Sequence, residues 1–339
     1  MSPETIEHRG AAAPDTPDNS ALFVMMQDPI YNRIRIPRPT LTAASAFVCL
    51  AVAGLWLSTL AEIALGISGM AVLNAIYYLP FLGLPLWLYA RRRPGLSQGM
   101  RLNPLPGLSV MTLAGLALLS VYVASGLAAA WGAGLNALGL TSPGASPMPQ
   151  TKGELALSIL TMAAFPAVFE ELLFRGFVLS AWESRGTALA IGVSAALFAL
   201  LHGNLYGLPA YVLVGLVAGF VTWALDSVYA GITYHTLYNA ACLVIPFLMA
   251  REGQTPDPDA ALTGIRLAAA LVQTTLLEGL MAMVIYVMWN RAKASGALAI
   301  PRIRRPLAYG ERAALALAVL LMAATTAIVQ ILAAMQRPA

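Results

Sequence analysis

The sequence predicts an all-α, polytopic transmembrane helical bundle of about eight to nine spans with its N-terminus in the cytoplasm. Three observations carry that expectation. Of the 339 residues, 59% are hydrophobic and only 11% are charged, less than half the roughly 25% charge of a soluble domain. The mean hydropathy is +0.72. The apolar residues come in blocks of about 20, the length of helix that crosses a hydrocarbon core about 30 Å thick.

The blocks fall at 41–65, 72–90, 106–137, 155–181, 187–203, 208–225, 228–250, 262–289 and 311–335. The third is longer than one crossing needs, so it either tilts or ends in a short interfacial helix near Trp131. The fifth and sixth are short and joined by His202-Gly203-Asn204-Leu205-Tyr206-Gly207. Residues 1–38 are polar, contain proline and mix both charges, as a disordered cytoplasmic tail does. The chain then divides into N-terminal transmembrane helices at 39–137, a four-helix core at 150–250 and C-terminal transmembrane helices at 260–339. The linker at 139–153 is rich in Pro, Ser and Gly. No internal repeat is visible, which disfavours a transporter built on inverted halves.

Orientation follows from the basic residues. With the N-terminus inside, the inner segments hold Arg33, Arg35, Arg38, Arg91, Arg92, Arg93, Arg101, Arg185, Arg291, Lys293, Arg302, Arg304, Arg305 and Arg312. The outer segments hold only Lys152, Arg251, Arg266 and Arg337. This is the positive-inside asymmetry. It also accounts for the net charge of +4 without a nucleic-acid partner, since no basic-aromatic groove pattern accompanies it. Cys49 and Cys242 lie in apolar blocks with no paired spacing, so neither a disulfide framework nor a structural zinc site is expected.

The informative residues are the ionisable ones inside the spans, where a charge costs about 2.5–3.5 kcal/mol on insertion scales. The fourth block holds Glu170, Glu171 and Arg175. Glu171 and Arg175 are four apart with the acid first, the favourable order for an ion pair on one helix face. Glu170 projects about 100° away, so one carboxylate is neutralised and the other is left to act. Pro166, four residues before Glu170, removes a backbone hydrogen bond and kinks the helix there. Phe198 and His202 share one face of the fifth block, and His235 and Asn239 share one face of the seventh. Of the remaining polar residues, Glu278 in the eighth block is read as lining the cavity, pairing with a buried cation or facing a partner subunit, and Glu62 as interfacial. Tyr206, Tyr234 and Tyr238 are read as belt or cavity-lining residues.

These stretches, Glu170-Glu171-Leu-Leu-Phe-Arg175, Phe198…His202 and His235…Asn239, match in order the EExxxR, FxxxH and HxxxN motifs of the CPBP superfamily of intramembrane proteases. The sequence therefore resembles that superfamily, which includes the type II CAAX prenyl endopeptidases and relatives linked to abortive infection and bacteriocin immunity. The resemblance covers roughly residues 150–250. It implies an endopeptidase acting on a membrane-associated protein or peptide, prenylated or otherwise anchored, in the plasma membrane of a bacterium. It further implies Glu170 as general base, His202 as its partner in activating water, His235 and Asn239 as oxyanion donors, and Glu171, Arg175 and Phe198 as supporting residues.

Two mechanisms stay open on the residues alone. A glutamate can activate water with no cofactor, or Glu170, His202 and His235 can bind zinc as a three-ligand site with an open fourth position. HExxH is absent, and no GxSxG or partnered serine points to serine chemistry. A different class of function also stays open: a non-hydrolytic transporter or immunity protein using the same buried polar cluster. The expected partners are the lipid bilayer and a membrane-anchored substrate.

Overall fold

The computed structural model describes residues 37–66, 70–142, 148–251, 265–294 and 305–335. The tail expected at 1–38 therefore lies, up to residue 36, outside the described residues, as does 143–147 of the expected linker. Among the described residues no strand occurs, and nine longer helices follow one another, each on one of the apolar blocks.

Helix α1 is Leu41–Leu65, capped by the Thr40 hydroxyl accepting from the Ala43 amide (3.1 Å) and stopped by Gly66 at φ 61°. These are the expected start and stop residues for a helix. Helix α2 runs from Met70 to Arg91 as Met70–Tyr78, a π-helical turn Leu79–Gly83 and Leu84–Arg91. Helix α3, Ser109–Ala137, is one unbroken helix, so the separate interfacial helix considered near Trp131 does not form. Instead the Trp131 indole donates to the Leu205 carbonyl at 2.9 Å.

Helix α4, Lys152–Arg185, starts at a Thr-Lys-Gly-Glu capping sequence. The Thr151 hydroxyl accepts from the Glu154 amide, and the Glu154 carboxylate accepts from the Gln150 amide at 2.8 Å, a variant of the capping box. Helices α5 (Thr187–Leu201) and α6 (Leu208–Ala224) are short and apolar, α7 is Val228–Arg251, α8 is Ile265–Ala294 and α9 is Tyr309–Met335. Gly186, at φ 121° and ψ 135°, makes the reversal between α4 and α5, a conformation that costs a residue with a Cβ dearly.

Five of these helices, α1, α3, α4, α7 and α9, are long and apolar enough to cross a membrane. Leu57, Leu60 and Ile63 on α1 and Leu320, Ile331 and Leu332 on α9 are exposed, as lipid-facing side chains are. Within the bundle α7 packs on α3 and on the first part of α4, α6 packs on α5 and α3, and α1 packs on α9.

Helix α4 is not regular. π-helical stretches at Ile159–Ala164 and Leu172–Leu179 flank an α-helical Phe165–Glu171. The first ends two residues before Pro166, which has no backbone N–H to give the helix, so a π-helical irregularity lies beside the proline at which a kink is expected. π-bulges concentrate at functional sites, and the segment between these two carries both glutamates.

At the end of α4 a second polar group is buried. Arg101 donates to both Glu183 carboxylate oxygens at 2.5 Å, to the Ser180 hydroxyl at 3.2 Å and to Asp226 at 3.1 Å. Arg38 adds a contact to Glu183 at 3.2 Å. Arg101 and Asp226 both adopt positive φ, 57° and 48°, and the Arg101 carbonyl accepts from the Val228 amide at the start of α7. This cluster ties α4, the 100–103 segment and the α6–α7 turn together.

Candidate active site

Glu170 and Glu171 lie side by side on α4, yet they have separate surroundings. Glu171 is fully buried. Its Oε1 accepts from Arg175 Nη1 at 2.6 Å and lies 3.0 Å from His235 Nδ1. Arg175, equally buried, donates through Nη2 to the Gly215 carbonyl of α6 at 2.7 Å and sits 4.8 Å over the Phe198 ring. A planar guanidinium can serve a carboxylate, a carbonyl and a ring face at once, which an ammonium cannot. The i,i+4 ion pair read from the sequence is thus formed, and it joins α4, α6 and α7.

Glu170 is 7% exposed. Its Oε1 accepts from the Tyr78 hydroxyl at 2.5 Å, and its Oε2 is 4.0 Å from His235 Nε2. With Leu55, Tyr77, Tyr78, Leu201 and His202 it lines a cavity of about 160 Å³, room for a water at about 30 Å³ together with a peptide group.

The hydrogen bonds assign the tautomers of both imidazoles. His202 Nδ1 is 2.9 Å from the Phe198 carbonyl, which the end of α5 leaves without an amide from His202 because that amide bonds Ala199. A carbonyl only accepts, so Nδ1 carries the proton and neutral His202 keeps its lone pair on Nε2. The same reasoning applies to His235, whose Nδ1–H points to the Glu171 carboxylate. Its Nε2 donates only when the ring is doubly protonated. Phe198 packs edge-on against both rings, at 4.8 Å from His202 and 5.4 Å from His235, and Tyr211 stacks on His202 at 4.0 Å.

The structure therefore brings Glu170, Glu171, Arg175, Phe198, His202 and His235 together. Glu170 and His202 share the cavity without a direct hydrogen bond between them. Asn239 stands one turn beyond His235 on α7, partly exposed, and its amide has no hydrogen bond among the described residues. Two polar residues lie elsewhere: Glu278 is exposed on α8, and Glu62 is partly exposed near the end of α1. Of the tyrosines singled out, Tyr206 binds Asn136 at 2.7 Å, pinning the 202–207 loop to α3. Tyr234 is fully buried and Tyr238 partly so.

Sequence reasoning missed Tyr77 and Tyr78. No periodicity in α2 marks them, and Tyr78 reaches Glu170 from 92 positions away. Gly231 was missed too. A Cβ there would come within 2.7 Å of Glu171 Oε2 and 2.6 Å of the Thr222 hydroxyl, so only glycine lets α7 approach the carboxylate.

Among the described residues no three His, Cys, Asp or Glu side chains converge as a metal-binding group. The lone pairs of His202 and His235 are chemically suited to zinc, but as placed the trio with Glu170 does not form a three-ligand site.

Residues 152–241 match the family model described as Rce1-like, type II CAAX prenyl endopeptidase. The matched segment contains every motif residue above, from Glu170 to Asn239. Together with the five long apolar helices, it supports an integral membrane protein of the CAAX-protease type. Tyr77 and Tyr78 lie outside the matched residues. No curated protein and no solved structure matches the chain.

Proposed function

We propose that this chain is an intramembrane endopeptidase that hydrolyses a peptide bond near the anchored end of a prenylated or otherwise membrane-bound protein or peptide, in a bacterial plasma membrane. The observation that carries this reading is the division of labour between the glutamates. Glu171 Oε1 is held by both Arg175 and His235, while Glu170, among the described residues, has no cation within ion-pair distance apart from His235 and faces a cavity that His202 also lines.

The chemistry is general-base hydrolysis. Glu170 Oε2 takes a proton from water, and the hydroxide oxygen forms a bond to the scissile carbonyl carbon. The carbonyl electron pair moves to its oxygen. His202, with its lone pair on Nε2, accepts the second water hydrogen as a hydrogen bond and so orients the attack. When the C–N bond breaks, the proton held by Glu170 passes to the leaving nitrogen. Tyr78 fixes the carboxylate by holding Oε1, and Arg175, Glu171 and Phe198 hold His235 beside it. The resemblance assigns the developing oxyanion to His235, which donates through Nε2 only as imidazolium, and to Asn239, one turn beyond it. The mechanism needs no metal.

The test is cleavage in reconstituted bilayers across a library of membrane-anchored peptides, comparing wild type with Glu170→Gln, each with and without a chelator. Products formed by the wild type alone and retained under chelation are expected. Products lost on chelation would overturn the metal-free mechanism. Equal cleavage by Glu170→Gln would remove Glu170 from the role of base.

A further inference from the structure

Hydrolysis at this cavity needs a hydrogen-bond donor aimed at the carbonyl oxygen as it becomes negative. The motif residues supply donors poorly. Neutral His235 has its only N–H committed to Glu171, and Asn239 is not among the residues lining the cavity. His202 likewise has its N–H on the Phe198 carbonyl.

Helix α2 provides what is lacking. Tyr77 lines the same cavity as Glu170 and His202, is 8% exposed, and its hydroxyl is buried with no hydrogen-bond partner among the described residues. Leaving a buried hydroxyl unpaired is costly, and more so in lipid. Its neighbour shows what a paired hydroxyl looks like in the same place: Tyr78, 4.6 Å from it ring to ring, donates to Glu170.

The pair stands on a fixed element. Tyr78 stacks on Phe169 at 5.6 Å, the Asn74 amide donates to the Thr161 carbonyl, and Gly83 lies so close to Phe169 that a Cβ would be 2.7 Å from its ring. Preorganised donors are effective because they need no rearrangement during the reaction.

We propose that the Tyr77 hydroxyl is an oxyanion donor of the hydrolysis, a catalytic residue contributed by α2 from outside the motif-bearing helices. This rests on the endopeptidase reading above. As water's oxygen bonds to the scissile carbon and the electron pair moves to the carbonyl oxygen, that oxygen accepts a hydrogen bond from Tyr77. The tyrosine keeps its proton throughout, and the bond weakens again when the C–N bond breaks and the carbonyl re-forms. Placing Tyr78 on the base and Tyr77 on the oxyanion sets both reacting groups from one helix turn.

The experiment compares wild type, Tyr77→Phe and Glu170→Gln as full-length proteins in bilayers, measuring kcat and KM separately on a cleaved anchored peptide, and thermal unfolding in detergent. Tyr77→Phe keeps the ring and removes only the hydroxyl. It is expected to lose about 10²–10³-fold in kcat with KM little changed, and to melt no lower than wild type because the hydroxyl has no partner in the free protein.

Wild-type kcat in Tyr77→Phe would overturn the assignment, as would a loss confined to KM or one that tracks a lowered melting temperature. The two readings fail separately. An inactive Glu170→Gln beside a fully active Tyr77→Phe sinks only the Tyr77 proposal. An active Glu170→Gln sinks the glutamate mechanism, and kcat of Tyr77→Phe still decides the donor. Infrared spectra of a peptide labelled with ¹³C at the scissile carbonyl, bound to Glu170→Gln, give a second readout. The labelled band should shift back toward higher frequency when Tyr77→Phe is added, and an unmoved band contradicts the contact.

Discussion

Replacing Arg175 with methionine tests whether the buried ion pair is a structural unit. The substitution preserves an unbranched side chain but deletes the 2.6 Å bond to Glu171, the 2.7 Å bond to the Gly215 carbonyl and the guanidinium over Phe198. Glu171, fully buried, would keep only His235 among the described residues. Removing one partner of a buried pair costs about 3–5 kcal/mol, because the remaining charge is left uncompensated. That is a large share of a total stability of about 5–15 kcal/mol. Glu171→Gln removes the charge that Arg175 balances, so in that background Arg175→Met should cost at least about 2 kcal/mol less. Reversible unfolding in mixed micelles of the wild type, both single variants and the double variant measures this coupling. The reasoning is refuted if Arg175→Met costs under about 1 kcal/mol, or if the two substitutions simply add.

Two more substitutions probe neighbouring constraints. Gly231→Ala forces a Cβ to within 2.7 Å of Glu171 Oε2 and 2.6 Å of Thr222 Oγ1. It should cost about 1–3 kcal/mol from overpacking and, by displacing Glu171 and His235, lower kcat by about 100-fold; a variant that cleaves at the wild-type rate would show that α7 can retreat without consequence. Among the described residues, Arg101→Met leaves the Glu183 carboxylate, whose side chain is fully buried, with only the partly exposed Arg38. A loss of about 3 kcal/mol is expected in the same unfolding assay, of which the half-exposed Asp226 contact contributes little, and a loss below about 1 kcal/mol would contradict the clamp.

Much of the site was legible because its key pairs are local. Glu171 and Arg175, Phe198 and His202, and His235 and Asn239 each sit four apart on a helix, and helical geometry alone puts each pair on one face. Pro166 announced a distortion of α4, and the distortion is there. What the sequence could not display are the partners brought by tertiary packing. Tyr78 reaches Glu170 from another helix, Tyr211 stacks on His202 from α6, and the Gly215 carbonyl takes half of Arg175's fork. Each looks like an ordinary apolar-block residue until the helices are assembled. The cluster of buried Arg101 and Glu183 with half-exposed Asp226 escaped notice for the same reason, since its members are separated by 82 and 125 positions and sit where loops normally carry solvated charge. Asn239 shares the helix face of His235, as its spacing implies, and is not among the residues lining the cavity beside Glu170.

The adjacent glutamates pose a physical problem that the fold resolves in one way. Two carboxylates side by side repel by about 4 kcal/mol at 4 Å even at an effective dielectric of 20, and a lipid environment offers neither any bulk water. With both charged, Arg175 leaves the trio at a net charge of −1, and the position of that residual charge decides what the site can do. Arg175 is fully buried and bonded to Glu171, so the residual charge belongs to Glu170. There the Tyr78 hydroxyl takes one oxygen and leaves the other toward His235 and the cavity. A carboxylate that is held by a neutral donor, denied a fixed cation and given access to a small cavity is suited to taking a proton from water. A carboxylate locked to a guanidinium is suited to holding an imidazole in place. The order of the two in the sequence follows, because only the second lies four residues before Arg175.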